Sequence, residues 1–222
     1  MIKVLVTGGA GYIGSILTPE LLKNGFSVTV VDSLMFEEPS LLAACSNPNF
    51  RFIRGDTRDH RLMEKEIAKH DILIPLAALV GAPLCDRDPE MTRAVNFMTI
   101  KHLCSVASKE QIIVFPVTNS GYGIGETDLF CTEKSPLKPV SLYGKLKVDA
   151  ESRILNTRNG ITLRLATVFG VSPRMRMDLL VNDFTYKALK ERAIVLFESH
   201  FKRNFVHIHD VVECFIYCLE NY

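Results

Sequence analysis

The chain has 222 residues, of which 47% are hydrophobic, and its formal net charge is +1. A chain of this size can bury one large core, and its balanced charge, with no basic block, argues against a nucleic-acid-binding protein. No apolar stretch reaches membrane-spanning length, and residues 1–3 lead into a strand pattern and not into a signal peptide. We therefore expect a protein that binds neither nucleic acid nor a membrane.

The first predicted elements are a strand, a glycine-rich turn and a helix. Apolar residues 2–6 precede Gly8, Gly11 and Gly14, which are spaced three apart, and a helix is predicted from roughly 12 to 24. Glycine allows a tight turn and a close approach to a pyrophosphate, while the start of the helix directs N–H groups at phosphate oxygens. The pattern predicts a dinucleotide-binding turn, although alone it is a weak signal.

The next predicted strand strengthens this interpretation because it ends in a carboxylate. Residues 26–31 are followed by Asp32, about 20 residues after the glycines, where a carboxylate can accept both adenine ribose hydroxyls of NAD. The same carboxylate would repel the 2′-phosphate of NADP. The alternative is that Asp32 only caps the following turn.

The rest of the chain alternates between strand and helix patterns. In chain order we predict a short helix near 39–46, a strand at 50–53, a helix at 60–69, a strand at 71–75, a loop at 76–83, a helix at 89–108, a strand at 111–117, a helix at 142–156, a strand at 161–168, a helix at 182–191, a short strand at 194–197 and a helix at 210–220. This alternation predicts an α/β protein with a Rossmann-type, doubly wound parallel sheet covered by helices on both faces.

Polar clusters follow the predicted strands at their carboxyl ends. They are residues 8–14, Asp32, residues 56–57, residues 118–120 and Thr167. Because ligands of open α/β sheets bind outside the carboxyl ends of the strands, these clusters are expected to form one site.

A possible catalytic pair begins the helix predicted at 142–156. Tyr143 and Lys147 are four residues apart and therefore share one helical face. A nearby ammonium group lowers the pKa of a phenol, which would make Tyr143 a usable general base for a sugar or alcohol hydroxyl. Thr118, at the end of the preceding strand, could hydrogen-bond the same substrate oxygen. The alternative is an ordinary pair on a helix surface.

Cysteines and histidines give no sign of a metal site. None of the six cysteines forms a Cys-x-x-Cys pair, and scattered cysteines of this kind are typical of reduced thiols in a cytoplasmic protein. His207 and His209 lack a third ligand nearby, so we interpret them as structural.

Taken together, the motifs resemble one family along the whole chain. They are residues 7–14, Asp32, residues 55–59, the pair Tyr143 and Lys147, residues 164–170 and residues 203–210. They resemble the extended short-chain dehydrogenase/reductase family and, more narrowly, its NAD-dependent epimerase/dehydratase branch, which acts mostly on nucleotide sugars.

The resemblance implies a role for each matching position. Tyr143 would be the catalytic base, Lys147 would hold the nicotinamide ribose and tune Tyr143, and Thr118 would be the hydroxyl partner. The NAD-binding residues would be Gly8, Gly11, Tyr12, Ile13 and Gly14 at the pyrophosphate, Asp32 at the adenine ribose, Asp56 and Thr57 at the adenine, and Leu76, Ala77 and Ala78 around the cofactor. The substrate residues would be Ser120, Thr167, Asn182 and Arg203, with Arg203 at the diphosphate.

Departures from the family pattern narrow the reaction. Dehydratases of the family carry Asp-Glu directly after the threonine, and its decarboxylases keep a Glu there, whereas this chain has Asn119 and Ser120. These side chains cannot supply an ionised acid or base, so epimerisation or keto-reduction is favoured. Thr167 replaces an Asn that many sugar epimerases use to bind substrate, which puts that sugar contact in doubt.

The resemblance also implies a domain organisation. Residues 1–171 would form the NAD-binding domain, 172–205 part of a substrate-binding lobe, and 206–222 a strand and helix that return to the first domain. Since the family usually continues further, the C-terminal lobe is expected to be incomplete.

The family resemblance further implies a homodimer, formed through the helices predicted at 89–108 and 142–156. Their apolar residues could equally pack against the sheet. These residues are Val95, Met98, Leu103, Val106, Leu146, Val148, Ile154 and Leu155.

The resulting functional hypothesis is an NAD-dependent epimerase of a nucleotide-activated sugar, which acts through a transient keto intermediate with Tyr143 as base. Two alternatives stay open: an NAD-dependent sugar reductase or dehydrogenase of the same fold, and a non-catalytic NAD-binding protein.

Overall fold

A six-stranded parallel sheet forms the centre of the computed structural model, which describes residues 1–124, 130–156, 159–197, 199–200 and 202–221. The strand order is β3-β2-β1-β4-β5-β6, so the chain reverses its direction of winding between β1 and β4. These strands are β1 (Lys3–Thr7), β2 (Ser27–Asp32), β3 (Phe50–Arg54), β4 (Ile72–Pro75), β5 (Ile112–Thr118) and β6 (Asn159–Leu165). The predicted Rossmann fold is confirmed, and its ligand crevice lies where β1 and β4 diverge.

Helices cover both faces of the sheet. They are α1 (Gly14–Lys23), α2 (His60–Ile67), α3 (Ala82–Arg87), α4 (Pro89–Arg93), α5 (Thr99–Val106), α6 (Leu142–Leu155), α7 (Leu180–Lys190) and α8 (Ile208–Glu220). Short 3-10 turns span Leu42–Ala44 and Asn119–Tyr122. Within the described residues, no helix has the length and apolar character needed to cross a membrane.

Two hydrophobic cores lie on opposite faces of the sheet because side chains alternate along each strand. Val4 and Val6 of β1 belong to the core that includes α1 and α8, whereas Leu5 belongs to the core that includes α2, α5 and α6. A strand buried on both faces needs an uninterrupted apolar run, which explains the sequence pattern at residues 4–6.

The predicted strand at 161–168 is two strands. β6 ends at Leu165, which pairs with Thr118 of β5, and β7 (Thr167–Phe169) then pairs with β8 (Phe205–His207) in a separate two-stranded sheet. The predicted strand at 194–197 is wrong, since these residues form no ladder and Phe197 is 86% exposed. Apolar character alone does not make a strand where no neighbouring strand offers backbone partners.

The predicted helix at 89–108 is also interrupted. A π-helical turn (Ala94–Met98) separates α4 from α5, and α3 lies in a region that the sequence pattern did not assign to a helix. Within the π turn, the Asn96 amide accepts a hydrogen bond from the N–H of Leu79 and donates to its carbonyl, both at 2.8 Å. Asn96 thus fixes the loop that follows β4.

Helix α8 is part of the main core and not an appendage. Its Phe215 is fully buried with Leu17 and Leu21 of α1, whereas Tyr217 on the same helix is 66% exposed. Burial of Phe215 therefore couples the end of the described chain to the glycine-turn helix.

We predict that Phe215→Ala lowers the free energy of unfolding by about 3–5 kcal/mol, because it leaves a cavity in the core. Tyr217→Ala is the matched control and should change it by no more than about 0.5 kcal/mol. Urea unfolding followed by circular dichroism measures both. Equal, small effects would show that α8 does not support the core.

Candidate dinucleotide and catalytic site

A cleft of about 140 Å³ opens at the carboxyl ends of β1, β2 and β4. It is lined by backbone from the glycine turn, by the acidic residues Asp32, Glu37, Glu38 and Asp56, and by the loop after β4. The predicted cofactor residues in this lining are Gly8, Gly11, Asp32, Asp56, Thr57, Leu76, Ala77 and Ala78. The structure thus brings together the polar clusters that follow β1, β2 and β3.

The glycine turn is required by close backbone packing. Gly8 has φ +72°, and a Cβ there would lie 2.5 Å from the backbone N of Ala77. A Cβ on Gly14 would lie 2.5 Å from Cα of Gly9, so the start of α1 could not approach the turn. α1 begins at Gly14 with Ile13 as its N-cap, and the N–H groups of Ser15 and Leu17 already donate to the carbonyls of Gly11 and Ile13 (both 2.9 Å). The positive end of the helix dipole is directed at the glycine turn, where it would favour a pyrophosphate.

Asp32 both caps its turn and lines the cleft. Its Oδ1 accepts from the N–H of Leu34 (2.8 Å), and its Oδ2 accepts from the N–H of Ala10 (2.9 Å). The capping interpretation is therefore correct. Each carboxylate oxygen retains a second lone pair that can accept a ribose hydroxyl, so the two interpretations are compatible.

Asp56 lies at the same end of the sheet, after β3. The guanidinium of Arg58 donates to both of its carboxylate oxygens, and this hydrogen bonding holds the pKa of Asp56 below its usual value. Asp56 is therefore held as an anion beside Thr57 at the edge of the cleft.

The side chains of Tyr12 and Asn182 bond to each other and to the segment that follows β7. The Tyr12 hydroxyl donates to the carbonyl of Gly170 (2.7 Å) and accepts from the Asn182 amide (3.2 Å). Asn182 is 7% exposed, and its amide also donates to the carbonyl of Arg176 and accepts from the N–H of Gly170. Both amide hydrogens of Asn182 are used within the fold, and its contact with a sugar nucleotide stays a prediction. The pair ties the loop after β7 to the start of α1.

The helix that carries Tyr143 starts at a defined cap. The hydroxyl of Ser141 accepts from the N–H of Gly144 (3.1 Å), which begins α6 and places Tyr143 in its first turn. One turn later, Lys147 is 4% exposed, and its Nζ donates to the carbonyl of Pro116 in β5 (3.0 Å). This bond joins α6, which carries Tyr143 and Lys147, to β5, which ends at Thr118.

The electrostatics of the pair differ from the prediction. Burial lowers the pKa of Lys147 to about 7 and raises the pKa of Tyr143 to about 12. The Cys85 thiol raises the Tyr143 pKa further, and the Arg176 guanidinium lowers it. The predicted lowering by Lys147 is absent because a buried amine favours its neutral form, and this one is turned towards a carbonyl.

Thr118 ends β5 with its hydroxyl oriented by the next turn. Its Oγ1 accepts from the N–H of Ser120 (3.1 Å), which leaves the hydroxyl proton available to donate to a ligand. Ser120 itself is exposed.

Two other predicted substrate residues, Thr167 and Arg203, lie near Asn204, close to the strand pair β7–β8. The N–H of Thr167 donates to the carbonyl of Asn204 (3.2 Å), and the Asn204 side chain accepts from the Asn119 amide. Arg203 is exposed next to it. The Asn119–Asn204 bond therefore joins the turn after β5 to the strand pair β7–β8.

Two residues near Tyr143 were not predicted from sequence. Arg176 is 16% exposed and pairs with Asp178 through both carboxylate oxygens. Cys85 is fully buried, and its thiol donates to the carbonyl of Leu79 (3.3 Å). Both lie in irregular or short elements, where no hydrophobic periodicity marks a buried face. The sequence offered only the residue types themselves, a guanidinium and a thiol, as a reason to single them out.

Sheet order, glycine turn and carboxylate-lined cleft together define a dinucleotide-binding Rossmann protein. Residues 4–222 match the family described as the NAD dependent epimerase/dehydratase family. The chain belongs to this family, and the residues around the cleft fit the NAD that gives the family its name.

Two of the relatives carry names of nucleotide-sugar epimerases, one of them as a putative enzyme. UDP-glucuronate 4-epimerase 1 of Arabidopsis thaliana is 28% identical over 96% of this chain, and a putative UDP-glucose 4-epimerase of Methanocaldococcus jannaschii is 28% identical over 95%. The chain spans 53% and 71% of these proteins, respectively. The structure of UDP-glucuronic acid 4-epimerase from Bacillus cereus, in complex with UDP-glucuronic acid and NAD, is 27% identical with a TM-score of 0.86 and matches 99% of this chain and 74% of its own.

We predict that Gly8→Ala abolishes NAD binding, because the added Cβ meets the backbone of Ala77, which cannot move without displacing the loop after β4. Gly25→Ala is the matched control, since Gly25 has φ +82° with no atom within 4 Å of its added Cβ. It should cost about 1–2 kcal/mol of stability through left-handed strain but retain NAD binding. Isothermal titration with NAD measures binding; equal losses would assign the effect to backbone strain.

We predict that Lys147 makes the free energy of unfolding depend on pH. Its pKa is about 7 in the folded protein, against an ordinary lysine value of 10.5, so between these values the unfolded chain binds more protons and stability rises with pH. Lys147→Met removes this pH dependence. In protein freed of NAD, its gain in stability over wild type should be largest at and below pH 7 and shrink towards pH 10.

The measurement is urea unfolding of both proteins across this pH range. Lys145→Met, on the exposed side of the same helix, is the control. A gain from Lys147→Met that stays constant with pH would contradict burial as the cause.

Proposed function

We propose that this protein is an NAD-dependent epimerase of a nucleotide-activated sugar, acting through a transient keto intermediate. The observation that carries the proposal is the attachment of α6 to β5 through Lys147 and Pro116, which sets Tyr143 and Thr118 beside the same end of the sheet as the dinucleotide cleft. A binding protein that only sensed NAD would need none of these three side chains.

In this proposal, Tyr143 takes the proton of a sugar hydroxyl, and Thr118 donates a hydrogen bond to the same oxygen. NAD, when bound, supplies the hydride acceptor and donor together with a positively charged ring that favours a nearby phenolate. Within the chain, the Arg176 guanidinium also lowers the pKa of Tyr143. Lys147 would hold the nicotinamide ribose, and its position is fixed by its bond to Pro116.

The two residues after Thr118 favour one type of reaction. Asn119 and Ser120 are both neutral, and the Asn119 amide is engaged with Asn204. Dehydration would need an ionisable side chain here to remove a proton from the sugar ring. We therefore favour inversion at a carbon that carries a hydroxyl group.

The substrate class is inferred from the named relatives, which are epimerases of UDP-glucuronate and UDP-glucose. We propose a nucleotide sugar, with Arg203 exposed at the site edge as a cation for its diphosphate. The chain spans 53% and 71% of these two relatives, so the substrate of the whole relative is carried over here only as a proposal.

We also propose that the protein is a homodimer through α5, α6 and the preceding π turn. Leu103, Leu146 and Ile154 are buried within the chain, so they pack against the sheet as the alternative interpretation held. Met98 is 45% exposed and Leu155 is 51% exposed, which leaves them available to a second copy.

We predict that Tyr143→Phe keeps NAD binding but lowers turnover by about 100-fold or more, because the general base is lost. Tyr217→Phe, on the exposed face of α8, is the matched control and should retain full turnover. Turnover is measured on a panel of UDP-, dTDP-, GDP- and CDP-sugars, with the released cofactor quantified by mass spectrometry.

Full activity of Tyr143→Phe would show that the base is wrong. Near-stoichiometric NAD in purified wild type supports the epimerase cycle, in which the hydride returns to the substrate. Net oxidation or reduction of added cofactor, without inversion, would instead identify a sugar reductase or dehydrogenase.

A further inference from the structure

Two loops from distant parts of the chain meet across the dinucleotide cleft. The first follows β2 and carries Phe36; the second follows β7 and carries Arg174. Both residues line the cleft together with Gly8, Gly11 and Asp32. The guanidinium carbon of Arg174 lies 3.7 Å from the centroid of the Phe36 ring, which is a cation–π contact.

The second loop is held at the start of α1. Ser172 is 5% exposed, its hydroxyl donates to the carbonyl of Tyr12 (2.7 Å), and its Oγ lies 2.8 Å from Oγ of Ser15. Arg174 therefore follows two residues after an anchor at the end of the helix that faces the phosphates of a dinucleotide.

Arg174 has unused hydrogen-bond donors. Its Nε is buried and has no hydrogen-bond partner among the residues that the structure describes, and its Nη1 makes only a long contact (3.4 Å) with the carbonyl of Met175. By contrast, Arg58, the other arginine in the cleft lining, is paired with Asp56. A buried donor without a partner is costly, so a ligand that supplies an acceptor there gains free energy.

The first loop holds Phe36 through an unusual backbone. Leu34 has φ 55° and Glu37 has φ 54°, both in the left-handed region that non-glycine residues seldom adopt. The N–H of Glu37 donates to the carbonyl of Leu34 (2.9 Å) and closes the turn between them. Such strain persists where surrounding contacts fix the conformation, and here it sets the ring against the guanidinium.

We propose that Arg174 and Phe36 form a clasp that retains NAD, in which the Arg174 guanidinium donates hydrogen bonds to the pyrophosphate and the Phe36 ring holds the guanidinium plane. The clasp depends on one part of the proposed function, the binding of NAD in the cleft, and does not depend on the epimerase reaction. A planar guanidinium fork suits two phosphate oxygens, and stacking on a ring reduces the freedom that it would lose on binding.

Retention has a consequence for the reaction. An epimerase must return the hydride to the same substrate, so its cofactor stays bound through the cycle. A clasp built from two loops slows the release of the dinucleotide without touching the sugar. Arg174 is therefore assigned to cofactor binding and not to the chemical step.

The test measures binding to the full chain freed of NAD, without any assay of turnover. The variants are Arg174→Ala, Arg174→Lys and Phe36→Leu, with Arg61→Ala, exposed on α2, as the control. The ligands are NAD and ADP-ribose, which contain the cofactor pyrophosphate, adenosine, which does not, and UDP, which represents the nucleotide part of a sugar substrate. Titration calorimetry gives each Kd, and the release of fluorescent NADH into excess NAD gives the dissociation rate.

Arg174→Ala is expected to weaken NAD and ADP-ribose by about tenfold or more, mainly through faster dissociation, and adenosine by less than about twofold. The affinity of Arg174→Lys for NAD should lie between those of wild type and Arg174→Ala, because lysine keeps the charge but lacks the planar guanidinium. Phe36→Leu should speed the release of NADH. Arg61→Ala should match wild type. Unchanged melting temperatures without NAD exclude misfolding as the cause.

Three outcomes would overturn the clasp. If the Kd of Arg174→Ala for NAD lies within about twofold of the wild-type value, Arg174 does not contact the pyrophosphate. Equal weakening of adenosine would assign Arg174 to the adenosine end, and loss of UDP binding with intact NAD binding would assign it to the substrate. A wild type that binds NAD but inverts no sugar would refute the proposed function and leave the clasp measurable.

Discussion

The cleft depends on one close approach, between the backbone of Gly8 and the backbone of Ala77. Strands β1 and β4 run in parallel up to Thr7 and Pro75, and the carbonyl of Thr7 then accepts from the N–H of Leu76 at 2.8 Å. Beyond this point the segment after β1 turns towards α1 and the segment after β4 turns towards α3. The space between these two segments is the crevice. A side chain at position 8 would hold the two loops apart, so the glycine is needed for the protein's own packing before any ligand is considered.

Burial sets the charge state of the Tyr143–Lys147 pair. The same packing that places Lys147 under the sheet edge lowers its pKa, and the same apolar surroundings raise the pKa of Tyr143. In this state the tyrosine holds its proton, and the lysine titrates near pH 7, so that both of its charge states are populated there. A positive charge brought to the site would shift the tyrosine towards a phenolate, so the proposed base would be readier when the cofactor cleft is occupied.

Three polar side chains stabilise the loop that borders the site. Tyr12, Asn182 and Ser172 together tie the segment after β7 to the start of α1. Their hydrogen bonds position Arg174 at the cleft and Arg176 near Tyr143. Residues far apart in sequence are thus linked because the same short loop borders both the dinucleotide cleft and α6, the helix that carries Tyr143.

The sequence by itself determined the local features: the glycine spacing, the carboxylate at the end of β2, the alternation of strands and helices, and the Tyr143–Lys147 spacing. Each depends on residues close in the chain, where steric and periodic rules act directly. Only the tertiary structure decided that Asn182 is used within the fold, that residues 194–197 form no strand, that a π turn interrupts the helix at Asn96, and that Arg174 stacks on Phe36. These depend on which partner a polar or apolar group meets across the fold, and such partners are set by three-dimensional packing and not by neighbours in sequence.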